Sequence, residues 1–150
     1  MKYNIRKATQ QDICRLAEIE IFNYRINFYP IFQNDEFYFS ELQVSAKIAD
    51  YETDSEVLDH TYVYDDGVVK GFICLDGTRI KKLFVEPVLQ NQKIGSRLLE
   101  YAIAEHKTTS LWALEKNEKA IKFYARHGFL PTGEKQLEDD TTEYLIKLKR

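Results

Sequence analysis

The chain has 150 residues, a formal net charge of −3 and two cysteines. This length predicts one domain spanning residues 1–150, and the weakly acidic charge argues against nucleic acid as the main partner. No apolar run approaches the roughly 18 residues of a membrane span, and the N-terminus lacks the apolar segment of a secretion signal. We therefore expect a soluble, cytoplasmic protein without membrane contact.

The first third of the sequence predicts a strand followed by two helices. Residues 3–8 alternate between polar and apolar side chains, as a strand does. Thr9 and Asp12 have the spacing of a capping box, which predicts the start of a helix. Residues 35–51 place apolar side chains at helical spacing and predict the second helix. The apolar stripe of the first helix consists of Ile13, Leu16, Ala17, Ile21 and Tyr24.

Residues 22–32, between these helices, are rich in aromatic side chains and include Pro30. Because proline interrupts helices, we expect any helix to stop there. So dense an aromatic segment belongs either to the core or to a substrate pocket, and we favour the core. Residues 53–59 are polar and acidic and predict a loop.

Three strands follow, connected by tight turns. Asp66-Gly67 and Asp76-Gly77 are dipeptides typical of two-residue hairpin turns. Together with the first strand, the three strands predict an antiparallel meander of four. The three predicted strands span residues 61–64, 68–75 and 79–86.

The last of these strands opens into a loop and a helix. The strand stops at Pro87, a polar loop follows, and apolar residues then recur at helical spacing from Ile94 to about His106. A helix N-terminus presents unpaired N–H groups and the positive end of a dipole, so it favours a phosphate. The loop has neither the order of a P-loop nor the three glycines of a dinucleotide turn. It is either another kind of phosphate site or an ordinary connection.

The remaining residues predict a strand, a helix and a closing hairpin. Residues 110–114 form an apolar run typical of a buried strand. Asn117 caps a helix that continues to His127, and Gly128 stops it. The whole order of elements predicts one mixed α/β sheet, but it does not determine the topology of that sheet. The closing hairpin spans residues 132–137 and 143–148.

The cysteines and histidines give no sign of a metal site. Cys14 lies on the predicted first helix and Cys74 in a predicted strand, so we expect free buried thiols rather than a disulfide or a catalytic group. His60, His106 and His127 show no paired ligand spacing, and no metal is expected.

Two stretches resemble motifs of the GNAT family of N-acetyltransferases, in its small bacterial form. The loop resembles the acyl-CoA signature Gln/Arg-x-x-Gly-x-Gly/Ala, and Gln90, Ile94 and Gly95 match it. Lys93 stands where the family usually has its first glycine. Residues 117–129 match every fixed position of the second motif, Asn-x-x-Ala-x-x-Phe/Leu-Tyr-x-x-x-Gly-Phe.

The resemblance implies a GNAT-like fold whose fourth and fifth strands splay apart to admit the pantetheine arm of acetyl-CoA. It implies that Tyr124 is the general acid that protonates the departing CoA thiolate. The structural alternatives are a core aromatic for Tyr124 and a simple helix cap for Asn117. The residues that the resemblance assigns to binding acetyl-CoA are Leu83, Phe84, Val85, Gln90, Asn91, Gln92, Lys93, Ile94, Gly95, Ser96 and Asn117.

Two departures from the family pattern leave alternatives open. A side chain at Lys93 either crowds the phosphate loop or places its ammonium beside the pyrophosphate. Some GNAT enzymes use a glutamate on the fourth or fifth strand as general base, but Lys81 and Trp112 occupy the aligned positions. No residue is therefore assigned as the base.

The charge distribution bears on the acceptor substrate. Residues 35–66 contain ten acidic residues and one basic residue, Lys47. In this fold the first helices and the following loop line the acceptor site, so the acidic stretch indicates either a cationic acceptor or merely a solvated surface. The ten acids are Asp35, Glu36, Glu41, Asp50, Glu52, Asp54, Glu56, Asp59, Asp65 and Asp66.

These observations predict an acetyl-CoA-dependent N-acetyltransferase. The acceptor would be a primary amine on a small molecule or a peptide, with neither a metal nor nucleic acid involved. The alternative is an acyl-CoA-binding sensor or partner-binding module on the same fold. The resemblance also admits a homodimer.

Overall fold

Residues 2–150, the part of the chain that the computed structural model describes, form a seven-stranded mixed sheet in the order β1-β2-β3-β4-β5-β7-β6. The mixed α/β class predicted from the sequence is confirmed. The strands are β1 (Ile5–Lys7), β2 (Thr61–Asp65), β3 (Val69–Asp76), β4 (Arg79–Val85), β5 (Ser110–Leu114), β6 (Leu130–Leu137) and β7 (Tyr144–Lys149).

Helices cover both faces of this sheet. Two short π-helical segments, Tyr24–Phe28 and Phe37–Glu41, and three 3-10 turns, Lys2–Asn4, Gln10–Asp12 and Pro87–Leu89, accompany the α-helices in residues 2–150. The α-helices are α1 (Ile13–Asn23), α2 (Tyr29–Phe32), α3 (Val44–Thr53), α4 (Glu56–Asp59), α5 (Ile94–His106) and α6 (Glu118–Arg126).

The predicted antiparallel meander is confirmed. β1, β2, β3 and β4 are sequential antiparallel neighbours. Gly67 (φ 124°) and Gly77 (φ 60°) have the positive φ angles for which the two Asp-Gly turns need glycine.

The fourth and fifth strands diverge. β4 and β5 run parallel but pair only at Arg79↔Ser110 and Ile80↔Leu111. β5 is held on its other side by β7 from Ser110 to Leu114, so the remainder of β4 has an open edge. This is the splaying that the family resemblance implied.

Successive side chains along the strands point to opposite faces of the sheet and form two apolar layers, one on each face. Ile73 faces α5 and α6, whereas Phe72 faces α1 and α3, and both are fully buried. Burying one such side chain stabilises the fold by about 1.5–3 kcal/mol. The layer between the sheet and α5 also includes Leu98, Leu99, Phe129 and Leu148. The layer between the sheet and α1 includes Leu16, Ile19 and Val63.

The N-terminal helix starts as predicted but ends differently. The Thr9 backbone N–H donates to the Asp12 carboxylate at 2.8 Å, and a capping box is formed. The prediction that Pro30 stops the helix is wrong, because the chain continues from α1 through the π-helical segment into α2. Pro30 lies in the first turn of α2, where its missing N–H is tolerated. The chain leaves the helix only at Gln33, with φ 52°.

Three further predictions for the N-terminal third are wrong. The helix predicted over residues 35–51 is broken at Leu42 and Gln43, whose ψ angles of 77° and 151° are not helical. The predicted acidic loop contains the short helix α4. Cys14 is exposed rather than buried, because it lies outside the stripe of α1 that faces the sheet, whereas Cys74 is buried as expected.

Candidate active site

The gap between β4 and β5 opens into a groove of about 1230 Å³. Every residue that we predicted to bind acetyl-CoA, and also Tyr124, lines this groove, except Gln92, which is exposed elsewhere on the loop. The groove therefore brings together the strand, the loop and the second motif, which are separate in the sequence.

The open edge of β4 offers backbone groups to the groove. Glu86 N–H donates to Lys70 at 2.8 Å, so alternation directs the backbone of Phe84 toward β3 and the backbones of Leu83 and Val85 into the gap. The Val85 carbonyl accepts a hydrogen bond from Asn23 Nδ2 at 2.9 Å. Phe84 therefore contributes its ring to the groove, whereas Leu83 and Val85 contribute backbone donors.

The loop before α5 reaches its helix through two left-handed residues. Asn91 has φ 68° and Lys93 has φ 67°. Lys93 thus adopts a backbone conformation that glycine adopts without strain, which explains physically why a glycine suits this position. The Lys93 side chain is exposed and lines the groove, beside the unpaired N–H groups of the first turn of α5.

Helix α6 places the second motif against the same groove. The Asn117 side chain caps α6 by accepting a hydrogen bond from Ala120 N–H at 3.3 Å. Tyr124 lies two turns later, and both residues line the groove. Burial raises the pKa of Tyr124 well above its ordinary value, so the hydroxyl keeps its proton at neutral pH.

The opposite wall of the groove comes from the aromatic segment, residues 22–32, and from Tyr38 shortly after it. Tyr24, Phe28, Phe32 and Tyr38 line the groove and also pack around buried Ile21. The ring of Phe84 joins them through edge contacts with Tyr24 and Phe28, at centroid distances of 5.5 and 6.3 Å. The segment is therefore both a core element and a pocket wall.

The acidic lining differs from the one expected from the sequence. Of the ten acids in residues 35–66, Glu41 lines the groove. The other carboxylates of the lining belong to Glu138, Asp139 and Asp140, in the turn between β6 and β7. Sequence reasoning missed them because the topology of β6 and β7 is not a local property.

A buried carboxylate lies behind this wall. Glu20 on α1 is 0% exposed and accepts hydrogen bonds from the hydroxyls of Tyr24 and Tyr51. Its Oε2 lies 3.0 Å from Lys82 Nζ and 3.4 Å from Lys47 Nζ. Desolvation pushes the pKa of Glu20 upward, but the two ammonium groups and the hydroxyls outweigh it and hold the pKa below its usual value.

Glu20 was also missed at the sequence level, although a signal for it exists. It follows Leu16 by one helical turn and precedes Tyr24 by another, so it occupies the stripe that we predicted to be apolar. A charged residue on an apolar stripe indicates a buried polar group that needs partners.

Neither a metal cluster nor a membrane span is found in residues 2–150. In this part of the chain no group of three or more His, Cys, Asp or Glu side chains is arranged to hold a metal ion. The helices of the same residues are all too short or too polar to cross a bilayer.

Comparisons with known proteins agree with this geometry. Residues 58–131 match the family model described as an acetyltransferase (GNAT) domain. The peptidyl-lysine N-acetyltransferase YjaB of Salmonella typhimurium is 32% identical over 77 residues, which cover 51% of this chain and 53% of that protein. The chain thus spans about half the length of this curated relative.

Two solved structures share the fold over nearly the whole chain. The solution structure of apo-form YjaB from Escherichia coli has a TM-score of 0.72 at 21% identity, covering 97% of this chain and 95% of that one. The PaiA N-acetyltransferase of Thermoplasma acidophilum, in complex with coenzyme A, has a TM-score of 0.66 at 19% identity, covering 97% and 98%. The family match identifies residues 58–131 as a GNAT acetyltransferase domain, and the chain as a whole has the fold of these two solved structures.

Proposed function

We propose that this protein transfers an acetyl group from acetyl-CoA to a primary amine of a cationic acceptor, such as a lysine side chain of a peptide. The observation that carries the proposal is one continuous groove, which begins at the N-terminus of α5, follows the open edge of β4 and passes Tyr124. The names of the relatives support it, because one is a peptidyl-lysine N-acetyltransferase and another binds coenzyme A.

The residues present fit acetyl-CoA in three places. The unpaired amides at the start of α5 and the Lys93 ammonium suit the phosphates. The backbone donors of Leu83 and Val85 suit the amide-bearing pantetheine arm and the thioester carbonyl. Asn117 caps α6 and lines the same groove, which supports a contact between its side chain and the arm.

In the proposed reaction, the neutral amine nitrogen attacks the thioester carbonyl carbon. A carbon–nitrogen bond forms, the carbon–sulfur bond breaks, and the sulfur leaves with the bonding electron pair. Tyr124 donates its proton to that sulfur and is reprotonated by solvent, while the amine nitrogen loses one proton to solvent. The net products are an amide and a CoA thiol, so protons and electrons balance.

The first experiment is calorimetric titration of the purified protein with acetyl-CoA. A Cβ added to Gly95 would lie 3.5 Å from the Phe123 ring and 3.6 Å from Val85, so alanine fits there, whereas a longer side chain must displace these two residues of the groove wall. We expect wild type and Gly95→Ala to bind with a micromolar dissociation constant, about −8 kcal/mol. Gly95→Glu should lose binding, and absence of binding by folded wild type would contradict the proposal.

The second experiment measures catalysis as release of CoA thiol with a lysine peptide. We expect steady turnover by wild type, and a loss of about 100-fold in kcat for Tyr124→Phe with acetyl-CoA affinity retained. Phe123→Leu, on the adjacent position of α6, is the control for altered packing. Equal kcat in wild type and Tyr124→Phe would contradict the role of Tyr124.

The second candidate function is acyl-CoA binding without turnover, as a sensor or partner-binding module. It is favoured by Lys93 at the glycine position and by Lys81 and Trp112 where some GNAT enzymes have a glutamate. Saturable binding of acetyl-CoA without thiol release from any amine acceptor would support this candidate over the enzyme.

A further inference from the structure

Two lysine side chains in the groove share one buried carboxylate. Lys47 comes from α3 and Lys82 from β4, and both line the groove. Both ammonium groups contact Oε2 of Glu20, at 3.4 and 3.0 Å. Because Glu20 is fully buried, two positive charges at the groove wall are matched by a single negative charge behind it.

At ion-pair distance the two lysines have one carboxylate between them in the described part of the chain. In residues 2–150 the ion pairs of both lysines are with Glu20. Lys47 Nζ lies 5.7 Å from the centroid of the Tyr24 ring, and Lys82 Nζ lies 5.4 Å from that of Tyr51. Aromatic faces attract cations but carry no charge, so one net positive charge remains.

This charge is partly shielded from water. The side chains of Lys47 and Lys82 are 17% and 27% exposed. A partly buried charge without a counter-ion is unfavourable, and an anion placed beside it regains that free energy. The acidic lining of Glu41, Glu138, Asp139 and Asp140 belongs to other elements of the groove, so the groove presents both signs of charge.

The two lysines lie on the acceptor side of the groove. Lys82 and Phe84 project from β4 toward α1, whereas Leu83 and Val85 pack in the apolar cluster of α5. The co-substrate path begins at α5, so a ligand group near Lys47 and Lys82 belongs to the acceptor.

We propose that Lys47 and Lys82 together bind an anionic group that the acceptor carries close to its reacting amine. This inference rests on the proposed acetyl transfer and narrows its substrate class. The acceptor is then a lysine with an acidic neighbour in a peptide, or a small amine with a carboxylate, whose amine is attracted by the acidic lining.

The test compares two peptides that contain one acceptor lysine each and differ only in Asp or Asn as the next residue. We expect kcat/KM for the Asp peptide to exceed that for the Asn peptide by about tenfold, the effect of about 1.4 kcal/mol. A ratio near one in the wild-type protein would overturn the inference without requiring any variant.

Variants then assign the preference to the two lysines. We expect Lys47→Met and Lys82→Met each to lower the Asp/Asn ratio at least threefold, and Lys82→Arg, which keeps the charge, to retain it. The Asn peptide corrects for general damage to the site. Lys70→Met is the matched control, because Lys70 is also ion-paired, to Asp66, and its side chain is 24% exposed, but it does not line the groove.

The outcomes separate this inference from the proposed function. Acetylation of both peptides at equal rates, or an Asp preference that survives the Lys47→Met/Lys82→Met double variant, overturns the inference and leaves acetyl transfer standing. No thiol release with either peptide or with simple amines contradicts the proposed function, and this inference falls with it.

Discussion

The carboxylate of Glu20 on α1 lies 3.0 Å from the ammonium of Lys82 on β4, a residue 62 positions later in the chain. This ion pair crosses from the helical layer to the strand whose open edge lines the groove. It therefore links the N-terminal helix to the wall of the groove, and Glu20 holds the ammonium groups of Lys47 and Lys82 in place there.

Replacing this carboxylate should destabilise the protein strongly. We expect Glu20→Gln to lower the free energy of unfolding by about 3 kcal/mol, because two partly buried ammonium groups lose their counter-ion. Urea unfolding measures the difference. Glu18→Gln is the control on the same helix, since Glu18 is 45% exposed and pairs with Arg15 at the surface, and it should change stability by less than about 0.5 kcal/mol. Similar effects of the two substitutions would contradict the buried role of Glu20.

The capping box makes a contribution to the free energy of unfolding that depends on pH. Asp12 binds Arg6 through two hydrogen bonds of 2.8 and 2.9 Å and accepts the Thr9 N–H, and the Arg6 guanidinium holds the pKa of Asp12 below its usual value. The folded state therefore binds this proton less readily than the unfolded state. The stabilisation is present above the unfolded pKa of about 3.9 and is lost as pH falls through the lower folded pKa.

We therefore expect Asp12→Asn to lose about 1–2 kcal/mol of stability at pH 6 and to differ less from wild type near pH 2.5. Urea unfolding of both proteins at the two pH values measures this. A destabilisation of the same size at both pH values would assign the effect of the substitution to packing instead of charge.

The two ends of α5 provide a matched pair for testing Lys93. Lys93 (φ 67°) precedes the helix and Lys107 (φ 54°) follows it, and both are left-handed. Replacing either lysine with glycine removes the strain of a side chain in this region, and we expect each to raise the free energy of unfolding by about 0.5–1 kcal/mol.

Only the substitution at Lys93 should affect the co-substrate. We expect Lys93→Gly to weaken acetyl-CoA binding about three- to tenfold in calorimetry, because a charge-assisted phosphate contact is lost, and Lys107→Gly to leave it unchanged. Tighter binding by Lys93→Gly would mean that the side chain crowds the loop.

The pH dependence of turnover tests the protonation state of Tyr124. Burial raises the pKa of this hydroxyl, so it should remain a proton donor throughout the range in which a lysine amine begins to lose its proton. We expect kcat/KM for a lysine peptide to rise about tenfold per pH unit from 7 to 9 without a downturn, and Tyr124→Phe to follow a parallel, lower line. A downturn above pH 8 that Tyr124→Phe abolishes would show that the tyrosine ionises early.

Sequence patterns of a few residues correctly predicted the turns and the helix cap, which depend on interactions between near neighbours in the chain. The Asp-Gly turns at Gly67 and Gly77 need a positive φ that glycine supplies, and Asn117 satisfies an N–H of its own helix. Interactions within a few residues determine these features. The strands between them were therefore predictable to within a residue or two.

The predictions failed where packing overrides a local preference. Pro30 does not end its helix, because it falls in the first turn of α2 where no N–H is required. The helix breaks at Leu42 and Gln43 although neither residue is a glycine or a proline. Leu42 is buried there against Ile21 and Tyr38. Both features depend on packing of this N-terminal region against residues that are distant in the sequence.

Short-range spacing was enough to predict the strands, the turns and both family motifs, and with them eleven of the residues that line the groove. Only the tertiary structure decided that β7 lies between β5 and β6, that β4 keeps an open edge, and that Glu20 meets Lys47 and Lys82. These arrangements depend on residues far apart in the chain. The buried carboxylate requires counter-ions, and β5 satisfies its backbone groups by pairing with β7 rather than with the end of β4. No local pattern of residues specifies either choice.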